Sequence, residues 1–150
     1  MTVPLERRAA RVLLVDDSGR VLLQQCCDPA DPAQVWWNTT GGGLDDGETS
    51  AQAAAREVAE ETGLEVDADA LGEVVHARVT EFCFDGQAYR QSEEYFLLRT
   101  ACFEAVPTAF TELELAAVRG TRWWTREELR ATSERVYPEE LVDVLDRLGA

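Results

Sequence analysis

Glu57, Glu60 and Glu61 stand at i, i+3 and i+4, a spacing that gathers side chains on one face of a helix. Like charges so placed cost roughly 0.2–0.5 kcal/mol per pair on an exposed helix. A solvated acidic face tolerates that cost, so the trio alone has an ordinary structural explanation. The chemical alternative is a hard divalent cation. Magnesium takes oxygen ligands and usually keeps waters and substrate phosphates in its shell. Gly41, Gly42 and Gly43 stand just before this acidic segment. Glycine allows close approach of backbone to a ligand or metal, including carbonyl ligation. Taken alone, the glycines also read as a turn joining a strand to a helix.

The elements that must position these residues follow from periodicity. A helix is expected over about Glu48–Thr62, with Thr49 or Ser50 helping to cap its start and Gly63 ending it. Ala51, Ala55, Val58 and Thr62 fall in one sector suited to packing on a sheet. Ala53 and Ala54 lie on or beside the acidic sector and are small enough to leave room above it. Upstream, RVLLV and RVLLQQ flank Asp16-Asp17-Ser18-Gly19 and read as a β-hairpin. Asp28–Pro32 reads as a loop, Val35-Trp36-Trp37 leads into a short strand, and the three glycines break regular structure. Downstream, extended stretches at Gly72–Phe84 and Tyr89–Cys102 meet at an Asp85-Gly86 hairpin turn. A short strand at Arg122–Trp124, a helix near Arg126–Ala131 and a last helix opened by Pro138 complete the chain. Strands mixed with helices in this way imply an α/β fold, a mixed sheet with helices on its faces.

The chain has 150 residues, enough for one domain, here 1–150, and carries a net charge of −15. That charge argues against long-range attraction to a nucleic-acid polymer or an anionic membrane. It is compatible with a small phosphorylated substrate whose charge is met by metal cations. All 14 basic residues are Arg, so a cationic phosphate contact comes from guanidinium, a metal or backbone amides. Four cysteines lack zinc-site spacing and read as reduced thiols of a cytoplasmic protein. No secretory signal and no apolar run of membrane-spanning length is visible. Dimers are common among soluble proteins, so a homodimer is a reasonable expectation.

Residues 42–64 resemble the Nudix box, G-x5-E-x7-R-E-U-x-E-E-x-G-U with U aliphatic. Gly42, Glu48, Arg56-Glu57-Val58, Glu60-Glu61 and Gly63-Leu64 match every fixed position. Trp36-Trp37 before the box and Arg122-Trp123-Trp124 late in the chain are similar to the family's flanking features, whereas Asn38-Thr39-Thr40 stands where many relatives carry a proline. The resemblance implies an α/β/α sandwich with a mixed β-sheet and a loop-helix-loop catalytic segment. It implies Mg²⁺-dependent hydrolysis, with Mn²⁺ as a substitute, of a nucleoside diphosphate linked to another moiety: a nucleoside triphosphate, an oxidised nucleotide, ADP-ribose or a nucleotide sugar. Carried over by position, Glu57, Glu60 and Glu61 are metal-site carboxylates, with the carbonyl of Gly41 or Gly42 completing the shell. Arg56 orients carboxylates with Glu48 as its partner. The implied mechanism is substitution at phosphorus, with a carboxylate taking the proton of the attacking water. The competing class is a catalytically silent ligand-sensing or interaction module on the same fold, and the intact acidic residues favour the enzyme.

Relatives often recruit a further acid from the later loop, for which Glu112 and Glu114 are candidates and Glu114 is preferred by its spacing before Trp123. Glu93 and Glu94 form a weaker pair expected to face solvent. Trp36, Trp37, Phe82, Tyr89 and Phe110 are candidates for stacking on a base, and Arg78, Arg90 and Arg99 for contacting phosphate. Of these, Trp36, Arg78, Tyr89 and Arg90 are the expected substrate-binding set. His76, the lone histidine, reads as structural.

Overall fold

The structure, a computed structural model, describes residues 3–150. The first two apolar runs form β1 (Leu5–Val15) and β2 (Val21–Asp28). Their turn is held by the Asp16 carboxylate, which accepts from the backbone N–H of Ser18 and of Arg20, each at 2.9 Å. Strand β3 (Asp31–Gly43) is longer than expected and contains all three glycines, which therefore do not break regular structure. The cause is close strand approach. A Cβ on Gly41, whose φ is +150°, would sit 2.3 Å from the carbonyl oxygen of Ala10 and 2.7 Å from Cα of Arg11 on β1. The expected loop at 28–32 shrinks to the turn at Pro29-Ala30.

Helix α1 (Ser50–Thr62) begins after a capping box. Thr49 Oγ1 accepts from Gln52 N–H at 3.2 Å, and Gln52 Oε1 accepts from Thr49 N–H at 3.0 Å. Gly63 ends the helix in the left-handed region at φ +80°, as a C′ glycine does. Strand β4 (His76–Phe84) starts later than the expected Gly72, after a 3-10 turn over Ala68–Leu71 that Asp67 caps. Asp85 and Gly86, at φ 49° and 78°, turn the chain into β5 (Gln87–Arg99). A short α2 (Glu112–Ala117) precedes β6 (Val118–Trp124), which is longer than its expected Trp-containing end. After α3 (Arg126–Ala131) and β7 (Val136–Tyr137) comes α4 (Leu141–Leu148). Pro138 does not start α4: its carbonyl accepts from Leu141 N–H at 3.0 Å, so it opens the turn that leads into the helix.

The sheet is mixed. β1 runs parallel to β5 and antiparallel to β3, while β2 lies antiparallel between β3 and β6. Side-chain alternation splits β1 between two cores. Ala10, Val12 and Leu14 pack with Ala53, Ala54 and Val58 of α1. Leu13 and Val15 pack with Trp37, Tyr95 and Trp124 and with Leu141 and Leu145 of α4. Two helical layers thus enclose the sheet, an α/β/α sandwich. Ala53 and Ala54 leave no open space: both are fully buried against the sheet. Each buried Leu or Val on these faces contributes about 1.5–3 kcal/mol. Among the described residues, no helix is long and apolar enough to cross a membrane.

Candidate active site

The capped start and glycine end of α1 fix the rotation of its acidic face. Glu57 and Glu61 are 8% and 4% exposed, so this face is buried rather than solvated. With Glu114 of α2 they form a cluster whose carboxylate oxygens lie within 4.8 Å of one another. Glu60 is outside that cluster and turns toward Arg56, at 3.3 Å. Glu112 is exposed.

Two contacts bring β3 onto this face. Gly41 N–H donates to Glu61 Oε2 at 3.0 Å, so the contact seen for Gly41 runs through its amide, where sequence suggests its carbonyl. A Cβ on Gly42 would fall 2.6 Å from Glu57 Oε1; only glycine lets the strand pass so close to that carboxylate. Burial pushes Glu61 well above the usual carboxylate range, and the neighbouring Glu57 adds to this, against Arg11 and the Gly41 amide. Burial also raises Glu57, opposed by Arg56. The arginines that act on these oxygens are shared with other carboxylates: Arg56 with Glu48, and Arg11 with Glu93. An all-oxygen set of this kind fits a hard divalent cation.

Arg56 holds the periphery together. Its Nε and Nη2 donate to the two oxygens of Glu48, both at 2.8 Å. Nη1 donates to Glu57 Oε1 at 2.9 Å, and Nη2 also reaches the Gly43 carbonyl at 3.0 Å. The planar guanidinium thus ties the loop before α1, the end of β3 and one cluster carboxylate into one rigid unit. Its hydrogen bond holds the Glu48 carboxyl below its ordinary range.

The carboxylates open into a cleft of about 910 Å³. One wall, from β2 and β3, carries Gln24, Trp36 and Asn38; the other, from β4 and β5, carries Arg78, Phe82, Phe84, Tyr89 and Gln91. Trp36 meets Phe84 edge to face, with ring centroids 6.4 Å apart. Beneath lies a buried polar hub. Glu93, 4% exposed, accepts from Arg11 Nε at 2.9 Å, Arg78 Nε at 2.7 Å, Gln91 Nε2 at 2.8 Å and the Tyr95 hydroxyl at 2.9 Å. Burial alone would raise the Glu93 carboxyl, but Arg11 and Arg78 bring it down to about 2.

The expected substrate-binding residues divide. Trp36, Arg78 and Tyr89 line the cleft, together with Phe82. Arg90 lies outside the cleft lining and is exposed, 3.9 Å from Glu6. Alternation decides this, since Tyr89 and Gln91 face the cleft and Arg90 points away. Trp37 is core, packed edge to face on Trp124 at 5.1 Å. Arg99 reaches the Gly149 carbonyl, and Phe110 lines a separate pocket behind Glu61. His76 faces Glu140 at 3.4 Å. The expectation that Glu93 faces solvent is wrong, because β5 turns it inward in phase with Gln91 and Tyr95. Sequence also leaves Arg11, Gln24 and Gln91 unmarked. Their signal is phase: Arg11 shares its face of β1 with buried Ala9 and Leu13, and a charge there must have a partner.

Comparison with known proteins gives consistent results. A family model for the NUDIX domain matches residues 5–145. An RNA pyrophosphohydrolase of Sphingopyxis alaskensis is 33% identical over 104 residues, covering 62% of each chain. The dihydroneopterin triphosphate diphosphatase of Escherichia coli is 38% identical over 71 residues, 47% of this chain and 45% of its own. Together with a second RNA pyrophosphohydrolase, these matches span 36–62% of the relatives' lengths. Among solved structures, a MutT protein from Methanosarcina mazei superposes with a TM-score of 0.73 at 17% identity, covering 99% of this chain and 96% of the other. The E. coli dihydroneopterin triphosphate pyrophosphohydrolase superposes at 0.66 with 24% identity, covering 99% and 100%. At these identities the structural likeness shows the fold.

Proposed function

Because the chain belongs to the NUDIX family, we propose that it hydrolyses a diphosphate linkage in a small nucleotide-type substrate, using Mg²⁺ held by Glu57, Glu61 and Glu114. The observation that carries this reading is the cluster of three carboxylates, with oxygens within 4.8 Å, at an aromatic-lined cleft. A bound divalent cation supplies Lewis-acid neutralisation of phosphate charge.

The chain's own residues supply the remainder. Arg56, fixed by Glu48, holds the Glu57 carboxylate in place, a task in which geometry matters more than net charge. Gly41 N–H fixes one oxygen of Glu61. A carboxylate of the cluster takes the proton of the attacking water, and Glu57, Glu61 and Glu114 are the candidates. Glu60 stands half-exposed beside Arg56, at 3.3 Å. Arg78 lines the cleft wall, where a guanidinium can meet a substrate phosphate. Trp36 and Tyr89 offer apolar faces to the organic part of the substrate.

The relatives' names, RNA pyrophosphohydrolase and dihydroneopterin triphosphate diphosphatase, make RNA and dihydroneopterin triphosphate compounds to try beside nucleoside triphosphates. The test is a screen of these with oxidised nucleotides, ADP-ribose and nucleotide sugars in Mg²⁺, with product analysis. Magnesium-dependent cleavage of a phosphoanhydride supports the proposal. Tight binding of a nucleotide with no cleavage of any compound would replace it with a ligand-sensing module.

A further inference from the structure

Of the 14 arginines, Arg7 on β1 alone has neither a hydrogen-bond acceptor nor a carboxylate partner among the described residues. Every other arginine reaches a carboxylate or a backbone or amide oxygen. The chain carries 29 acidic residues, so partners are not scarce, and the unpaired state of Arg7 comes from where it is held. It is exposed to solvent and lines the cleft of the carboxylates.

Two contacts hold the guanidinium without spending a donor. Its Cζ lies 5.7 Å from the Tyr89 ring centroid, a cation–π contact. It also lies against Gly43 on β3, where a Cβ would fall 2.8 Å from both Nε and Nη2. Gly43 is not one of the glycines with left-handed backbone, so the space it leaves belongs to Arg7. The residue before it, Gly42, packs on Glu57 in the same way. Arg7 thus stands where the acidic cluster meets the aromatic wall. Crowding there, with the neighbouring Arg11 charge, brings the Arg7 guanidinium below its ordinary value, against Tyr89, Glu57 and Glu93. A bound anion favours its charged form.

We infer that Arg7 binds the diphosphate of the substrate and that Gly43 keeps the place for its guanidinium; this rests on the diphosphatase reading above. The planar fork of a guanidinium matches a pair of phosphate oxygens, and Arg7 has all of its N–H donors unspent on the protein. Arg78, across the cleft lining, differs: its Nε and Nη1 are taken by Glu93 and Glu140. Arg11 is likewise committed to Glu93 and the Thr39 carbonyl.

Arg7→Gln removes the charge and Arg7→Lys only the fork. Arg7→Gln should lower kcat/KM by on the order of 10–100-fold, mostly through KM, and Arg7→Lys should recover part of that loss. Both should melt within about 4 °C of wild type, since the fold loses no more than a cation–π contact. Added guanidinium ion should restore part of the activity of Arg7→Ala and leave wild type unchanged. Gly43→Ala sets its methyl group against the far end of a flexible side chain, so Arg7 swings away while the strand stays. Its loss should match that of Arg7→Gln, and the double variant should be no worse than either, because residues acting through one contact do not add. Calorimetric titration with pyrophosphate in Mg²⁺ reads the contact without turnover, and Arg7→Gln should bind about 10-fold more weakly. Unchanged kcat/KM in Arg7→Gln, or the same pyrophosphate titration for it and wild type, overturns the inference and leaves the diphosphatase reading intact. A lowered melting temperature with unmoved pyrophosphate affinity makes Arg7 a structural side chain. If wild type cleaves no member of the panel, that reading fails, and the pyrophosphate titrations still decide this one.

Discussion

Gly41 and Glu61 are joined by a 3.0 Å hydrogen bond from the strand amide to the helix carboxylate. It crosses the gap between β3 and α1 and fixes the most buried acid of the cluster before any ligand arrives. A glycine is required there because β1 passes so close behind it.

Glu61→Gln preserves an acceptor for that amide but removes a buried charge next to Glu57. Turnover should fall by about 100-fold or more, on the order of 3 kcal/mol of transition-state stabilisation. The metal-free variant should melt no lower than wild type, because burial and Glu57 disfavour the charge it lacks. Kinetics and thermal melts in EDTA check both; a destabilised variant would show that Glu61 serves the fold.

Gly42→Ala places a methyl group where Glu57 Oε1 lies 2.6 Å away. The carboxylate must move, so magnesium-dependent stabilisation of the protein should weaken markedly while circular dichroism stays native. An unchanged magnesium-induced rise in melting temperature would contradict the placing of Glu57 at the metal.

Arg56→Lys keeps the charge and loses the paired bonds to Glu48 at 2.8 Å. Lysine cannot reproduce that planar fork, so kcat should drop by roughly 10–100-fold with a smaller change in KM. Steady-state kinetics decide it, and near-normal kcat would reduce Arg56 to a surface ion pair.

Glu93 governs acid stability. Its carboxyl is held at about 2 in the fold, against an unfolded value of about 4.3. A depressed carboxyl stabilises the fold above its unfolded pKa, and that stability is lost as pH falls from about 4.3 through about 2. The contribution is about 3 kcal/mol. Denaturant melts from pH 7 to 2 should show the gap between wild type and Glu93→Gln closing over that window. A gap constant with pH would remove the charge from the explanation.

What sequence could convey follows its physical basis. The helix of the acidic residues was legible because its cap, alanine content and terminal glycine are local features, and Thr49 and Gly63 act as such residues do. Local propensity treats the glycines as breakers, whereas in the fold the close approach of β1 demands Gly41 within a strand. Glu93 and Arg11 were hidden for the same reason. Their meaning lies in a partner 82 positions away along the chain, and only the parallel pairing of β1 with β5 brings them together. Glu114 is intermediate: its spacing before Trp123 suggested it, and the turn of α2 beside α1 places it near Glu57.

The most direct measurement is cleavage of the diphosphate panel by wild type and Glu61→Gln, side by side, in magnesium and in EDTA. Wild type should release product only with magnesium, and the variant should lose nearly all of it at saturating metal. Equal cleavage in EDTA, or full activity in Glu61→Gln, would contradict a catalytic cation held by these carboxylates.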